Sequence, residues 1–281
     1  MKTIAVTGGK GGTGKSTFAI LLAFKEILQG KKVLFVDCDV ECPNDYIILG
    51  IEKLKSPAKK TYTYYPKIQK EKCQKCGLCV KSCRSNALFK AKNKFPVVNK
   101  ELCSSCGVCW SICPSNAISK EKVLNGEIYK NKIEKKLTLI TGISKPGIRE
   151  TSPVVRQTRE YVQKKAKKFD LCIIDTAAGA HCTVISALEG VDKAYAVTEP
   201  TPLGAHDLRI ILQVLEVLNI PKKIVINQFD IGKERQILDI ARTFKVPIYA
   251  RIPYSKKLGK IYSKGEFLSN QSLIKLIKYN E

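Results

Sequence analysis

The sequence predicts an α/β protein with a doubly wound, mostly parallel sheet, into which a small α+β domain is inserted. Three observations predict this arrangement. Apolar runs alternate with helical stretches along most of the 281 residues, a glycine-rich turn joins the first strand to the first helix, and eight of the 12 cysteines fall in two short repeats. Such alternation is typical of a parallel sheet covered by helices on both faces.

Seven apolar runs are predicted to be strands. Two precede the cysteine repeats, TIAVTG and KVLFVDCD, and five follow them, LTLITG, DLCIID, KAYAVTEP, KIVINQ and PIYARIP. Helices are predicted between them, including 16–29, 206–218 and 233–245. The alternation stops between about 66 and 120. We therefore assign residues 1–65 and 121–281 to one discontinuous domain and residues 66–120 to an insert.

The chain is strongly basic, with 49 Lys and Arg against 25 Asp and Glu and a formal net charge of +24. Such a surface favours anionic partners, although dispersed lysines are also often no more than a solvated surface. No nucleic-acid-binding motif is recognisable, so a dedicated nucleic-acid reader is not indicated. The N-terminus does not have the pattern of a signal peptide and no apolar run nears 18 residues. We therefore expect a cytoplasmic protein that does not span a membrane.

A phosphate-binding loop is predicted at residues 9–16, GKGGTGKS, which match G-x-x-x-x-G-K-[ST] between a predicted strand and a predicted helix. Backbone N–H groups of such a loop surround phosphate oxygens, and the helix N-terminus adds positive potential. Lys15 is predicted to contact the β and γ phosphates, and Ser16 to bind Mg²⁺. The predicted nucleotide-binding residues are Gly11, Gly12, Thr13, Gly14, Lys15, Ser16 and Thr17.

Three aspartates lie at the ends of predicted strands. Asp37 and Asp39 follow VLFV, and Asp175 ends LCIID. Proteins of this class bind ligands at the carboxyl ends of their strands, and Asp175 lies where an acid would hold Mg²⁺ through water. Turn formation after a strand is the alternative interpretation of all three.

Two cysteine runs repeat each other: CQKCGLCVKSCRSNAL from Cys73 and CSSCGVCWSICPSNAI from Cys103. Both follow C-x2-C-x2-C-x3-C, the spacing of bacterial two-cluster ferredoxins, in which the fourth cysteine of each run binds the other cluster. Zinc sites also use C-x2-C pairs, but as two separated pairs. The sequence predicts two [4Fe–4S] clusters, one held by Cys73, Cys76, Cys79 and Cys113, the other by Cys103, Cys106, Cys109 and Cys83.

The first repeat departs from the ferredoxin pattern in one position. Arg84 follows its fourth cysteine where Pro is usual, and Pro114 follows the second repeat. Positive charge near a cluster favours the reduced state, so Arg84, with Lys75 and Lys81, is either a modulator of cluster potential or a solvated loop residue.

Four cysteines lie outside the repeats. Cys172 is in an apolar strand, which predicts burial. Cys182 follows the predicted magnesium aspartate, near the position of a cysteine that binds a subunit-bridging cluster in the nitrogenase iron protein. The sequence does not decide the roles of Cys38, Cys42 and Cys182.

The string KGGTGKST, which begins at Lys10, resembles the deviant Walker A motif of the MinD/ParA, Mrp and nitrogenase iron-protein superfamily. The resemblance implies an ATP-dependent homodimer in which Lys10 contacts phosphates bound to the opposite subunit. It also implies that Asp39 positions the attacking water, that Asp37 supports the magnesium shell, and that the loop at Gly179 senses the γ-phosphate.

The same resemblance extends to the predicted adenine pocket. Asn227, in KIVINQ, resembles the asparagine that reads adenine, and Pro253 resembles part of the loop that covers the base. An asparagine after a strand is also a common turn former. The predicted cofactors are therefore ATP or ADP, Mg²⁺ and two [4Fe–4S] clusters.

The whole chain resembles ATPases of the MinD superfamily that contain an inserted ferredoxin domain. Because the strand-end aspartates and the cluster ligands occur together in one short chain, we expect an ATP-hydrolysing iron–sulfur protein that couples nucleotide state to electron transfer with a redox partner protein. One alternative is a carrier that delivers clusters to an apo-protein acceptor. Another is a MinD-like positioning ATPase that uses a C-terminal amphipathic helix on membranes, although the pattern of Leu273, Ile274 and Ile277 favours a last helix packed on the core.

Overall fold

The computed structural model describes residues 1–280, without the side chain of Gln271. The described strands are β1 Lys2–Thr7, β2 Val33–Asp37, β3 Lys59–Ile68, β4 Leu88–Phe89, β5 Val97–Val98, β6 Ile118–Lys132, β7 Leu137–Ser144, β8 Leu171–Asp175, β9 Lys193–Thr198, β10 Lys222–Asn227, β11 Ile248–Ile252 and β12 Lys278–Tyr279. The helices are α1 Lys15–Leu28, α2 Asp45–Ile48, α3 Leu78–Lys81, α4 Val108–Ser111, α5 Ser152–Gln163, α6 Cys182–Leu188, α7 Pro202–Val217, α8 Arg235–Thr243 and α9 Lys256–Lys264. Two 3-10 helices span Ala166–Lys168 and Leu268–Leu276.

The main sheet has the strand order β12-β11-β10-β9-β1-β8-β2-β7-β6-β3. The strands from β11 to β7 in this order are parallel, and antiparallel strands are added at both sides. All seven predicted strands are present, as β1, β2 and β7–β11. The prediction of an α/β fold with a mostly parallel sheet is therefore confirmed.

Both faces of the sheet are buried. Along β2, Leu34 and Val36 point into one core, whereas Val33 and Phe35 point into the other. This alternation is the two-residue period of a strand with apolar contacts on each side, and it explains why the strand is a continuous apolar run. The sheet is thus doubly wound.

One predicted helix starts earlier than expected. Helix α7 begins at Pro202 and not near residue 206, because the Thr201 hydroxyl accepts a hydrogen bond from the Gly204 N–H at 3.0 Å and caps the helix. Proline then occupies the first helical position, where its missing N–H has no cost. None of the helices in residues 1–280 has the length and hydrophobicity to span a bilayer.

Two long strands that the sequence analysis did not identify lead into and out of the insert. β3 and β6 pair antiparallel over their length, from Lys59 with Ile128 to Ile68 with Ile118, and β6 also pairs with β7. Residues 66 and 120, the predicted limits of the insert, lie within these strands. The insert therefore continues the edge of the main sheet.

The C-terminal tail packs on the core. Leu273 and Ile277 are 4% and 6% exposed and belong to the same apolar core as helix α1. β12 then pairs with β11. The described tail is thus a 3-10 helix and an edge strand whose apolar side chains face the protein, and its last residue, Glu281, lies outside the described residues.

Candidate functional site

A cavity of about 420 Å³ opens above the predicted phosphate loop. Its wall contains most of the predicted nucleotide site: Gly11, Gly12, Gly14, Lys15, Ser16, Thr17, Asp39, Asn227 and Pro253. The sequence analysis did not predict four further lining residues, Asn44, Gln228, Tyr254 and Tyr262. The structure therefore brings together residues from the two ends of the chain around one space.

The loop has a backbone shape that requires glycine. Gly14 has φ 88°, in the left-handed region, and a Cβ there would lie 2.3 Å from the Asn227 amide nitrogen. That amide donates a hydrogen bond to the Thr13 carbonyl at 3.0 Å. Asn227 therefore holds the loop as well as lining the cavity.

Lys15 lies under the loop with its ammonium group partly withdrawn from water. Its Nζ donates a hydrogen bond to the Lys10 carbonyl at 2.8 Å. Burial lowers the pKa of Lys15, and the nearby carboxylates of Asp175 and Asp39 oppose this shift. A bound anion beside Lys15 would therefore stabilise the charged form of this side chain, as water does for an exposed lysine.

The predicted magnesium residues meet directly. The Ser16 hydroxyl donates a hydrogen bond to Oδ2 of Asp175 at 2.5 Å, whereas Oδ1 of Asp175 is buried and has no hydrogen-bond partner within the described chain. Burial raises the pKa of Asp175 to about 7, although the bond from Ser16 and the charge of Lys15 lower it. A divalent cation would supply the missing partner for this oxygen.

The aspartates of β2 differ in exposure. Asp37 is 1% exposed and accepts hydrogen bonds from the N–H groups of Asp39 (3.1 Å) and Asp45 (3.3 Å). Burial and the neighbouring Asp175 raise the pKa of Asp37 well above its usual range. Asp39 is less buried and accepts a hydrogen bond from the Cys42 N–H at 3.3 Å. Asp39 alone of the two lines the cavity.

Asp45 is a site residue that the sequence analysis missed. It is 1% exposed, and neither carboxylate oxygen has a hydrogen-bond partner within the described chain. Burial, followed by the charges of Asp37 and Asp175, raises the pKa of Asp45 well above its usual range. The signal available in the sequence was weak, since Asp45 follows Asn44 and looks like one residue of a helix start.

Lys10 forms an ion pair within its own chain. Its Nζ lies 2.8 Å from Oε1 of Glu199, which follows β9. The side chain of Lys10 is 34% exposed, so it lies at the rim of the site. Glu199 is a second residue that the sequence analysis missed, because it lies in the turn after a strand with no motif around it.

The loop after Asp175 returns to the phosphate loop. The Gly179 N–H donates a hydrogen bond to the Gly8 carbonyl at 3.2 Å, and Gly179 has φ 95°. His181 contacts the Ala178 carbonyl at 2.9 Å. These contacts connect the predicted γ-phosphate sensor to the loop that would hold the phosphate.

The cysteines outside the repeats divide by exposure. Cys172 is fully buried, as predicted, and burial raises its pKa to about 12. Burial also raises the pKa of Cys38, which is 1% exposed. Cys42 and Cys182 are exposed. Cys42 lines a small cavity together with His181 between the two loops that follow Asp37 and Asp175.

The eight repeat cysteines line two separate cavities in the insert. One is lined by Cys73, Cys76, Cys79 and Cys113, and the other by Cys83, Cys103, Cys106 and Cys109. The fourth cysteine of each run thus lies with the first three of the other run, which is the grouping predicted from the spacing. Within residues 1–280 no three His, Cys, Asp or Glu side chains are grouped to hold a single metal ion.

The crossing cysteines have matching surroundings. Cys83 and Cys113 each accept a hydrogen bond, from the Ala87 and Ala117 N–H groups respectively, at 3.3 Å. Burial alone would raise the pKa of these two thiols, but hydrogen bonds from backbone and serine groups together lower it. Hydrogen bonding to sulfur favours the thiolate, which is the form that binds iron.

Comparison with known proteins identifies related chains. A model of the CobQ/CobB/MinD/ParA nucleotide binding domain matches residues 4–268. An uncharacterized protein of Methanocaldococcus jannaschii is 38% identical over 281 residues, which are 100% of this chain and 93% of that protein.

Two solved structures have a similar fold. The cell division ATPase MinD of Pyrococcus furiosus aligns with a TM-score of 0.58 and 17% identity, over 98% of this chain and 97% of that one. The septum site-determining protein MinD of Pyrococcus horikoshii OT3, complexed with Mg-ADP, aligns with a TM-score of 0.59 and 17% identity, over 98% and 93%.

Proposed function

Because the chain belongs to the family of CobQ/CobB/MinD/ParA nucleotide-binding domains, we propose that it binds and hydrolyses ATP and couples its nucleotide state to electron transfer through two [4Fe–4S] clusters. The observation that carries the coupling is a short segment, residues 149–151, with contacts on both sides. The Thr151 hydroxyl donates a hydrogen bond to Glu41 at 2.6 Å, in the loop that holds Asp39. Arg149 donates to the Glu101 carbonyl at 3.5 Å, two residues before Cys103.

Further contacts support this route. The Gln157 side chain in α5 forms two hydrogen bonds with the backbone of Tyr62 in β3, at 3.1 and 2.8 Å. The Ser144 N–H donates to the Val40 carbonyl at 2.7 Å. Residues next to the nucleotide site are therefore bonded to the 149–151 segment and to the end of β7, and α5, which follows that segment, is bonded to β3, the strand that leads into the insert. A shift at Asp39 has a physical route to the cysteines through these contacts.

The roles in ATP hydrolysis follow from placement. Lys15 and the loop N–H groups would bind the phosphates, Ser16 and Asp175 would hold Mg²⁺ with support from Asp37, and Asp39 would orient the attacking water. Bound Mg²⁺ would neutralise charge on the phosphates. Lys10 would contact phosphates of a second subunit only after leaving Glu199, so formation of the proposed ATP-dependent dimer includes the loss of this ion pair.

The cysteine donor sets fit iron–sulfur clusters. Four thiols line each cavity. A cluster of four irons needs ligands spread around a cube, whereas zinc needs four sulfurs about 2.3 Å from one ion. Bound clusters would supply one-electron redox chemistry, and the protein would hold them and set their surroundings.

The test is to purify the protein without oxygen, reconstitute it with iron and sulfide, and compare it with Lys15→Ala. We expect about eight irons per chain in both proteins and ATP hydrolysis only in the unchanged one. Absence of bound iron would refute the cluster half of the proposal. Equal hydrolysis by both proteins would refute the nucleotide half.

A second candidate function is a MinD-like positioning ATPase. The fold shared with the two MinD structures favours it. Against it, Leu273 and Ile277 are buried in the core, so a membrane-binding tail would have to leave its place. Co-sedimentation with anionic vesicles in Mg-ATP would support this candidate, and no sedimentation would exclude it.

A further inference from the structure

An open cavity of about 720 Å³, here called the basic cleft, adjoins the second cysteine quartet. Cys106 lines both the basic cleft and the cysteine cavity, and it is exposed. The polar wall of the basic cleft is formed by Lys81, Ser82, Arg84, Ser85 and Ser104. None of the residues that line it is acidic. The basic cleft therefore presents positive charge and hydroxyl donors beside a cysteine that is shared with the cluster site.

The two charges of the basic cleft are free to bind an outside anion. Lys81 and Arg84 are exposed, and within the described chain neither forms an ion pair. The whole insert, residues 66–120, has eleven lysines and arginines and two glutamates. Two oxidised clusters with their thiolates would contribute about −2 each, so the insert stays positive when they are bound.

The two charges of the basic cleft have no counterpart in the second repeat. In the repeat alignment, Lys81 corresponds to Ser111 and Arg84 to Pro114. Near the equivalent thiol, Cys76, the lysines make contacts within the insert. Lys90 donates a hydrogen bond to the Lys75 carbonyl at 2.5 Å, and the Lys75 ammonium lies 4.6 Å from the centre of the Phe95 ring. The asymmetry singles out the second quartet.

Apolar groups accompany the charges. Val108, which lines the basic cleft, is 40% exposed, and Ile112 in the same repeat is 37% exposed. Apolar residues beside a ring of charged ones are typical of a protein-binding surface rather than of a site for a small ion.

We propose that the basic cleft docks an acidic redox protein, which exchanges electrons with the second cluster past Cys106. The proposal rests on the cluster half of the proposed function. One electron leaves the reduced partner, which is oxidised by one equivalent, and enters the second cluster, which is reduced by one equivalent. No bond forms or breaks at the basic cleft. Opposite charges would steer the encounter and orient the partner.

The test uses a purified acidic plant-type [2Fe–2S] ferredoxin as the probe and measures its Kd by calorimetry in low salt. The variant Lys81→Ser with Arg84→Pro places in the first repeat the residues that stand at the equivalent positions of the second repeat, Ser111 and Pro114. The loop of the second repeat accommodates these two residues. The matched control, Lys92→Ser with Lys94→Ser, removes two exposed charges from the connection between β4 and β5. We expect the cleft variant to weaken binding at least about tenfold and the control to change it less than about twofold.

Electron transfer from the reduced probe, measured by stopped flow, should be slower in the cleft variant than in the control variant. The difference between the two rates should become smaller in high salt. Equal Kd values for the two variants, with eight irons retained in each, would overturn the docking proposal alone. Displacement of the probe by millimolar inorganic phosphate would also overturn it, in favour of a small-anion site. If the unchanged protein holds no iron, the cluster half of the proposed function is refuted, and the docking proposal is refuted with it.

Discussion

The nucleotide site and the cysteine insert hold their reactive groups in opposite surroundings. The nucleotide site lies on a sheet with a large core on each face, and Asp37, Asp45 and Asp175 are each at most 3% exposed. The insert has only small apolar clusters of its own, and it exposes one cysteine of each repeat, Cys76 and Cys106. A large core can offset the cost of burying carboxylates, whereas we expect a unit as small as the insert to depend for its stability on what its cysteines bind.

The largest expected effect comes from removing one cluster ligand. Cys113→Ala should abolish the cluster proposed for Cys73, Cys76, Cys79 and Cys113, because one iron of that cluster would lose its thiolate ligand. Iron should fall from about eight to about four per chain, and limited proteolysis should cut the insert while the main sheet stays intact. Iron analysis, EPR and mass spectrometry of the fragments measure this.

The control for this substitution is Cys42→Ala, which changes an exposed cysteine that lines neither cavity in the insert. It should leave iron unchanged. Unfolding of the main sheet in Cys113→Ala would contradict this difference between the two regions, because the stability of the large core would then also depend on the proposed clusters.

The next effect is confined to the other region. Lys15→Ala should lower the rate of ATP hydrolysis at least about 100-fold, since one preorganised positive group at the phosphates is lost. Iron content should not change, because Lys15 contacts no residue of the insert. Lys31→Ala, three residues beyond the end of α1 and paired with Glu26, serves as control. A parallel loss of iron in Lys15→Ala would contradict the separation of the two sites.

A smaller effect concerns stability and pH. The raised pKa values of Asp45 and Asp175 mean that the folded chain holds these protons more tightly than the unfolded chain. Their stabilising contribution is therefore full below about pH 4 and is lost as the pH rises through the folded values, about 7 for Asp175. Without Mg²⁺, Asp45→Asn should raise the free energy of unfolding by about 1–3 kcal/mol at pH 8 and hardly at pH 4.

Urea unfolding followed by circular dichroism measures this difference at both pH values. Asp239→Asn, in an exposed ion pair with Arg242, should change stability by less than about 1 kcal/mol at either pH. The same gain for Asp45→Asn at pH 4 and pH 8 would show that its carboxyl does not titrate abnormally.

The smallest expected effect tests the contact between the regions. Thr151→Val removes the hydroxyl that donates to Glu41 but keeps the shape of the side chain. Hydrolysis and iron content should stay within about twofold of the unchanged protein, whereas any effect of Mg-ATP on cluster potential should fall by at least about half. Thr243→Val, in α8, removes a hydroxyl bonded to the Asp239 carbonyl and is the matched control. An equal effect of Mg-ATP on cluster potential in both variants would show that the 149–151 segment does not carry the coupling.

The sequence predicts best what lies close together along the chain. The cysteine runs and the phosphate loop are short motifs in which the separation of the residues along the chain is itself the signal. The two cysteine groupings and most of the residues of the cavity wall were therefore predictable. Asp45 and Glu199 were not, because their importance comes from burial beside Asp175 and from an ion pair with Lys10. Neither relation has a trace in local sequence.

The fold likewise contains elements that have a local sequence signal and elements that lack one. The parallel strands are continuous apolar runs because both of their faces are buried, so they were recognised. β3 and β6 have many charged residues on their exposed positions, and a half-exposed strand of this kind has a weak apolar signal. Their pairing joins residues 50 or more positions apart, which only the structure provides.

The central claim, that nucleotide state and clusters are coupled, is tested most directly by an anaerobic redox titration of both clusters by EPR, with and without Mg-ATP. We predict a shift of about 30 mV or more. It should be larger for the cluster of Cys103, because Arg149 contacts the backbone two residues before that cysteine. Unchanged potentials for both clusters in saturating Mg-ATP would contradict the claim.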